Sequence, residues 1–198
     1  MKNLLFVPLA LLLAAAAGAG EPMTAETFRK LIETPGDAVA MRPELAGLPV
    51  WAKSKCDVTM TYQNGRVFKE ECAQTAKTVG GNYIVSWLDS KFYKQPVYCI
   101  TGYDEKASAI RVWGIYEDRL VESTLTFDAE KKINASVSIY DPGFMELNVG
   151  CFSDQEMLDK TKIYKDGVLF MSRVVKTFPL AAEKPGEKNL NEKSVPAK

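Results

Sequence analysis

The sequence predicts an all-β fold, an antiparallel up-and-down β-barrel of about 8 to 10 strands preceded by a short N-terminal helix. Two observations predict it. From Lys55 to Phe178 the chain alternates with period two and is rich in Val, Ile, Thr, Tyr and Phe, the pattern of half-buried strands. Turn chemistry then interrupts it at regular intervals: Asn64-Gly65, Gly80-Gly81, Asp104 to Ser108, Glu117 to Arg119, Asp128 to Lys131, Asp141-Pro142-Gly143 and Asp166-Gly167. Connections this short join antiparallel neighbours, because parallel strands need long crossovers. A twisted meander of that length curls until its edges meet, which favours a closed or nearly closed barrel over a two-sheet sandwich.

Each segment has its own signal. Residues 1–19 carry one cation at Lys2, an apolar run from Leu4 to Ala17 and the small residues Ala17-Gly18-Ala19, the layout of a secretory signal peptide. The apolar run is short of the roughly 20 residues that span a bilayer and contains Pro8, so an anchor that persists in the membrane is not expected. Residues 20–54 form a lead-in. Within it Thr24 to Ile32 is expected to be helical, capped by Thr24, with Phe28, Leu31 and Ile32 on one side and Pro35-Gly36 as a stop. This helix is expected over one mouth of the barrel. The barrel domain is expected over residues 55–180, with strands at 55–62, 66–75, 82–88, 96–103, 109–116, 120–127, 132–140, 144–152, 157–164 and 168–177. Residues 181–198 mix Lys and Glu with Pro and Gly, bury almost nothing and are expected to be a disordered tail.

Composition excludes several functions. The 198 residues include 25 Lys and Arg against 25 Asp and Glu, and no histidine. Without histidine there is no Ser-His-Asp triad, no His-bearing zinc site and no His-ligated haem. Balanced charge argues against nucleic acid as a partner. No cofactor is implied, and four cysteines without Cys-x-x-Cys spacing do not suggest a metal site. In an exported chain they read as disulfides. If Gln63-Asn64-Gly65 is a three-residue loop, Tyr62 faces Arg66 and, by the same register, Cys56 faces Cys72. They could bridge if they form a non-hydrogen-bonded pair, leaving Cys99 for Cys151.

The stretches ELAGLPVW at Glu44 to Trp51, GGNYIVSW at Gly80 to Trp87 and VYCITGYDEKASAIRVW at Val97 to Trp113 resemble uncharacterised secreted bacterial proteins of the calycin, or lipocalin-like, kind. The resemblance covers about Pro43 to Val175. It implies a barrel of eight to ten strands and no established activity. It points to Gly47 and Trp51 before the first strand, to the turn residues Gly102, Tyr103 and Asp104, and to Arg173 in the last strand. The spacing Gly47-Leu-Pro-Val-Trp51 departs from the usual Gly-x-Trp. Closure would let the Arg173 guanidinium stack on Trp51 and plug one end.

Chemistry is sparse. Asp89, Asp104, Glu122 and Glu146 lie in or beside strands, but Glu122 shares a face with Thr124 and Thr126, as on a solvated outer wall. Glu146 and Asn148, alternating with Met145, Leu147 and Val149, read the same way. Ser86, Ser123 and Ser172 lack a nucleophile elbow. The positive feature is aromatic: Tyr83 and Trp87 share a face with Val85, and Trp113 with Arg111 and Ile115, both expected inside. The leading expectation is an exported, non-enzymatic barrel, periplasmic or extracellular, that binds a small apolar or amphipathic molecule at Tyr83, Trp87, Arg111 and Trp113. The alternatives are an envelope interaction or structural module with a filled barrel, and a His-free hydrolase using carboxylates.

Overall fold

The computed structural model describes residues 23–92, 95–116, 119–141 and 143–180; the expected signal peptide and tail lie outside them. Among these residues one helix, α1 (Ala25–Glu33), precedes ten strands. They are β1 (Lys53–Tyr62), β2 (Val67–Val79), β3 (Tyr83–Asp89), β4 (Val97–Asp104), β5 (Ala109–Tyr116), β6 (Arg119–Asp128), β7 (Ile133–Asp141), β8 (Phe144–Phe152), β9 (Met157–Lys165) and β10 (Val168–Pro179). Each strand pairs antiparallel with its chain neighbours, and β1 pairs with β10 to close the barrel.

The turns among the described residues are where the sequence places them. Gly65 takes φ of 81°, its N–H donates to the Tyr62 carbonyl at 2.9 Å, and the Tyr62 N–H donates to the Arg66 carbonyl at 2.9 Å. Only glycine enters that left-handed region without strain, so Asn64-Gly65 closes a three-residue loop and fixes the register of β1 against β2. Cys56 accordingly faces Cys72. All four cysteines are nonetheless free thiols. The hydrogen bond at Tyr62 and Arg66 recurs every second pair up the ladder, which makes Cys56 and Cys72 a hydrogen-bonded pair, with Cα atoms farther apart than in the closer non-hydrogen-bonded kind. The expected Cys99 to Cys151 bridge fails for a plainer reason: Cys99 lies on the inner face of β4, Cys151 on the exposed outer face of β8.

Paired residues share a face, so the register sorts inside from outside. Starting from the fully buried Cys56, the inner face carries Val58 and Met60 of β1, Phe68 and Cys72 of β2, Ile84 and Leu88 of β3, and Ile110 of β5. It continues through Ser123 of β6 and Ser138 of β7 to Glu146 and Asn148 of β8, Asp159 and Thr161 of β9, and Met171 and Arg173 of β10.

α1 is anchored by Thr24, whose side chain accepts from the Thr27 N–H at 3.1 Å, and its last turn is closed by Lys77 Nζ, which donates to the Ile32 and Thr34 carbonyls at 2.6 Å each. It does not sit over a mouth. Phe28 and Leu31 pack on the outer wall, against Val79, Val85, Ile100 and Trp113. The mouth beside the β2–β3, β4–β5 and β6–β7 turns is instead plugged by the following segment, with Leu45 fully buried among Ile84 and Ile110 and with Met41, Leu48, Val50, Tyr103, Leu125 and Phe127 around them. Gly47 is needed there because a Cβ would lie 2.8 Å from the Phe127 ring.

Candidate ligand site in the lumen

The aromatic residues expected to line the lumen lie outside it. Tyr83 pairs with Gly102, Val85 with Ile100, Trp87 with Tyr98, and Trp113 with Ile100 and Glu122, all on the face opposite Ile84 and Ile110. They form the apolar outer wall that α1 covers. Gly102 lets the rings lie flat there, since a Cβ would meet the Tyr83 ring at 2.8 Å and Trp113 at 3.2 Å. Arg111 is buried on the same wall and needs no ligand to balance it: it donates to Thr124 Oγ1 at 2.5 Å and lies 3.7 Å from Asp104 and 3.4 Å from Glu122. Glu122 also accepts from Trp113 Nε1 at 2.9 Å, in keeping with its expected outer position. Trp87 lies beside Tyr98 and under Lys77, whose Nζ is 5.9 Å from the ring centroid.

Arg173 is inside, but not with Trp51. It faces Met60, near the far end of β1, whereas Trp51 precedes that strand's first residue. At about 3.3 Å per residue the two are far apart along the barrel. The partner of Arg173 is Glu146, at 2.9 Å, a carboxylate whose alternation with Met145, Leu147 and Val149 predicts the outer wall instead. On β8 the alternation runs opposite to that expectation: Met145, Leu147 and Val149 face out, while Glu146 and Asn148 face in.

These residues belong to one hydrogen-bonded chain across four strands. The Tyr140 hydroxyl donates to Glu146 Oε2, and Arg173 donates to Glu146 Oε1 at 2.9 Å and to Thr161 Oγ1 at 3.4 Å. Thr161 in turn donates to Asn148 Oδ1 at 2.9 Å, and Asn148 Nδ2 donates to Asp159 Oδ1 at 3.3 Å. Space for it is made by Gly150, where a Cβ would fall 2.3 Å from Asp159 and 2.6 Å from Asn134. Burial raises the Asp159 carboxyl above its usual range, against the opposing pull of Asn148 and Arg173. Burial and the facing Glu146 likewise push the Tyr140 phenol up, so it stays protonated and donates.

Beside this polar chain, and interleaved with it on β9 and β10, lies an apolar cluster built by Val58, Met60, Cys56, Cys72 and Met171 with Tyr62, Phe68, Leu88, Ile163 and Val175. Its thiols are unreactive by environment. Burial pushes Cys72 up to about 12, and Cys99, also facing the lumen, up to about 12. The barrel interior therefore brings an apolar cluster together with a guanidinium, two carboxyl groups and neutral donors. No group of three or more His, Cys, Asp or Glu among the described residues is arranged to hold a metal ion.

No family model and no curated protein matches the chain. Among solved structures it is similar to a protein of unknown function from the DUF3598 family of Nostoc punctiforme, at 13% identity and a TM-score of 0.50, over 75% of this chain and 53% of that one. The chain thus spans about half the length of that protein. It is also similar to an S-type phycobiliprotein lyase from Guillardia theta, at 7% identity and a TM-score of 0.48, over 67% of this chain and 89% of that one. At such identities the likeness is one of fold. The fold itself is a closed antiparallel barrel of ten strands, within the eight to ten that the sequence resemblance implies.

Proposed function

We propose that the protein is an exported barrel that binds a small amphipathic molecule in its lumen. The observation that supports this most directly is the mixed character of the interior: an apolar cluster around Met60 and Met171 lies directly beside the buried pair of Arg173 and Glu146. A ligand with a hydrocarbon body and a polar end meets both, burying the first and hydrogen-bonding the second. The residues that carry binding in this reading are Met60, Phe68, Met171, Tyr140, Glu146 and Arg173, and no longer Tyr83, Trp87, Arg111 and Trp113. Export rests on the signal-peptide layout of residues 1–19, with the periplasm or the exterior as destination.

Native mass spectrometry of protein purified from its own cells tests the reading, together with titration of a fluorescent fatty-acid analogue. A co-purified small molecule, or probe binding that Met60→Trp blocks and Arg173→Met weakens, supports it. Repeated recovery of empty protein that takes up no probe leaves the filled-barrel interaction module instead. Fractionation and N-terminal sequencing of the mature chain test export.

A further inference from the structure

Charge on the inner face does not balance. Among the described side chains the inner positions carry Glu70, Glu146 and Asp159 against Lys165 and Arg173. Arg173 is answered by Glu146, whose second oxygen takes the Tyr140 hydroxyl. Glu70 and Lys165 stand toward the mouth opposite the Leu45 plug: Glu70 accepts from Ser90 Oγ at 2.8 Å and from the Lys91 N–H, and Lys165 extends over Phe144. At the plugged end Lys132 pairs with Asp154 at 3.1 Å, and Arg42 with Glu44 at 3.0 Å and Glu105 at 3.4 Å. That leaves Asp159. Its carboxyl accepts one hydrogen bond, from Asn148 Nδ2 at 3.3 Å. No cation among the described residues lies within salt-bridge distance of it, and Arg173 acts on it only from farther off.

The space beside Asp159 is shaped. Asn134 of β7, Gly150 of β8 and Asp159 of β9 lie in one cross-strand row. The two flanking side chains lean over the glycine from either side: a Cβ there would fall 2.6 Å from Asn134 Oδ1, 2.8 Å from its Nδ2 and closer still to Asp159 Oδ1. Asn134 is only 7% exposed, yet its amide makes no hydrogen bond among the described residues. Asp159 faces inward but keeps accessible surface, so open space borders this notch from within the barrel. Along the same row come Val175 and Val58, with Met60 and Met171 next toward the open mouth. A buried carboxyl with one hydrogen bond and a buried amide with none are costly to the fold. Both offer acceptor oxygens, which a protonated amine satisfies with three donors and a positive charge.

We propose that the luminal ligand is an amphipathic amine, its ammonium held over Gly150 between Asp159 and Asn134 and its hydrocarbon running along Val58, Met60 and Met171. This rests on the luminal reading and adds the sign of the charge that the lumen selects. Burial holds the Asp159 carboxyl above its usual range, and a bound ammonium draws it back down. The fold supplies the anion and the ligand its counter-ion.

Three fluorescent probes with one dansyl-undecyl body, ending in an ammonium, a hydroxyl or a carboxylate, test this by titration into the full chain. At neutral pH the ammonium probe is expected to bind about tenfold tighter than the hydroxyl probe, with the carboxylate probe weakest. Asp159→Asn, a change of charge at constant shape, brings the ammonium probe down to the affinity of the hydroxyl probe and leaves the latter as it was. Gly150→Ala fills the notch and weakens the ammonium probe most, with circular dichroism checking that each variant folds. Met60→Trp blocks all three probes, which separates luminal binding from adsorption on the surface. Equal affinity for the three, tighter binding of the carboxylate probe, or a preference that Asp159→Asn leaves intact overturns the proposal while the luminal reading stands. Binding of none of them, or binding that Met60→Trp does not touch, overturns both.

Discussion

Two arcs of one wall obey opposite rules. Along β2 to β5 the outside is apolar, with Val79, Val85, Ile100 and Trp113 under the helix. Along β7 to β10 the inside carries polar residues among apolar ones, with Tyr140, Glu146, Asn148, Asp159, Thr161 and Arg173 in one hydrogen-bonded chain. Apolar therefore does not mean inward in this barrel. The outer arc uses its apolar surface to fix a helix. The inner arc keeps charge out of water, which costs stability unless each group is paired, and so marks a place where something other than stability sets the residues.

The comparison is broken most forcefully from the outer arc. Phe28→Ala empties the fully buried helix anchor and is expected to cost about 3–5 kcal/mol in chemical denaturation, with luminal probe binding retained by the folded fraction. Gly102→Ala drives a methyl into the Tyr83 ring and should cost about 1–3 kcal/mol; most of that cost disappears in a Tyr83→Ala background, since removing the ring removes the clash.

On the inner arc, Glu146→Gln leaves Arg173 without its carboxylate and should lose about 2 kcal/mol. The double variant Glu146→Leu with Arg173→Met should return to within about 1 kcal/mol of the parent, while losing discrimination for amphipathic over purely apolar probes. A double variant that stays as unstable as Glu146→Gln would mean that the pair is structural. Asp159→Asn gives a smaller effect with a defined sign. A carboxyl whose folded value is raised contributes stability at acid pH and loses it as the pH climbs through that value. The variant should therefore match the parent in acid and exceed it in thermal melts near neutrality. Least costly is thiol labelling of the native protein: Cys151 should react with maleimide first, and Cys56, Cys72 and Cys99 only on unfolding.

Much of the fold was legible in the chain because turn chemistry is local. Asn64-Gly65 specifies its own loop, and from that loop the facing of Cys56 and Cys72 follows by counting. Every expected strand lies within about two residues at its start and about four at its end of the observed one, the end of β2 being the farthest out. The site was legible only in part. Alternation correctly grouped Tyr83 with Trp87, Arg111 with Trp113, and Glu146 with Asn148, but assigning each group a side assumed that apolar faces the axis. One signal corrects it: Trp113 pairs with Glu122, whose polar neighbours Thr124 and Thr126 mark an outer face. Following that pair across β5 and β6 turns the aromatic wall outward without further information.

By itself, then, the sequence determined the order and approximate bounds of the strands and, through the Asn64-Gly65 loop, the register of β1 against β2, since each depends on residues a few positions apart. Which face became the lumen, which residue answers Arg173, and where the helix lies were decided by closure. When β10 met β1, the helix α1 was left with a broad apolar surface to cover on the outer wall, while the pairing of β8 with β9 and of β9 with β10 set Glu146 beside a guanidinium 27 residues away. Contacts of that kind exist only after the edges join, and no local pattern records them.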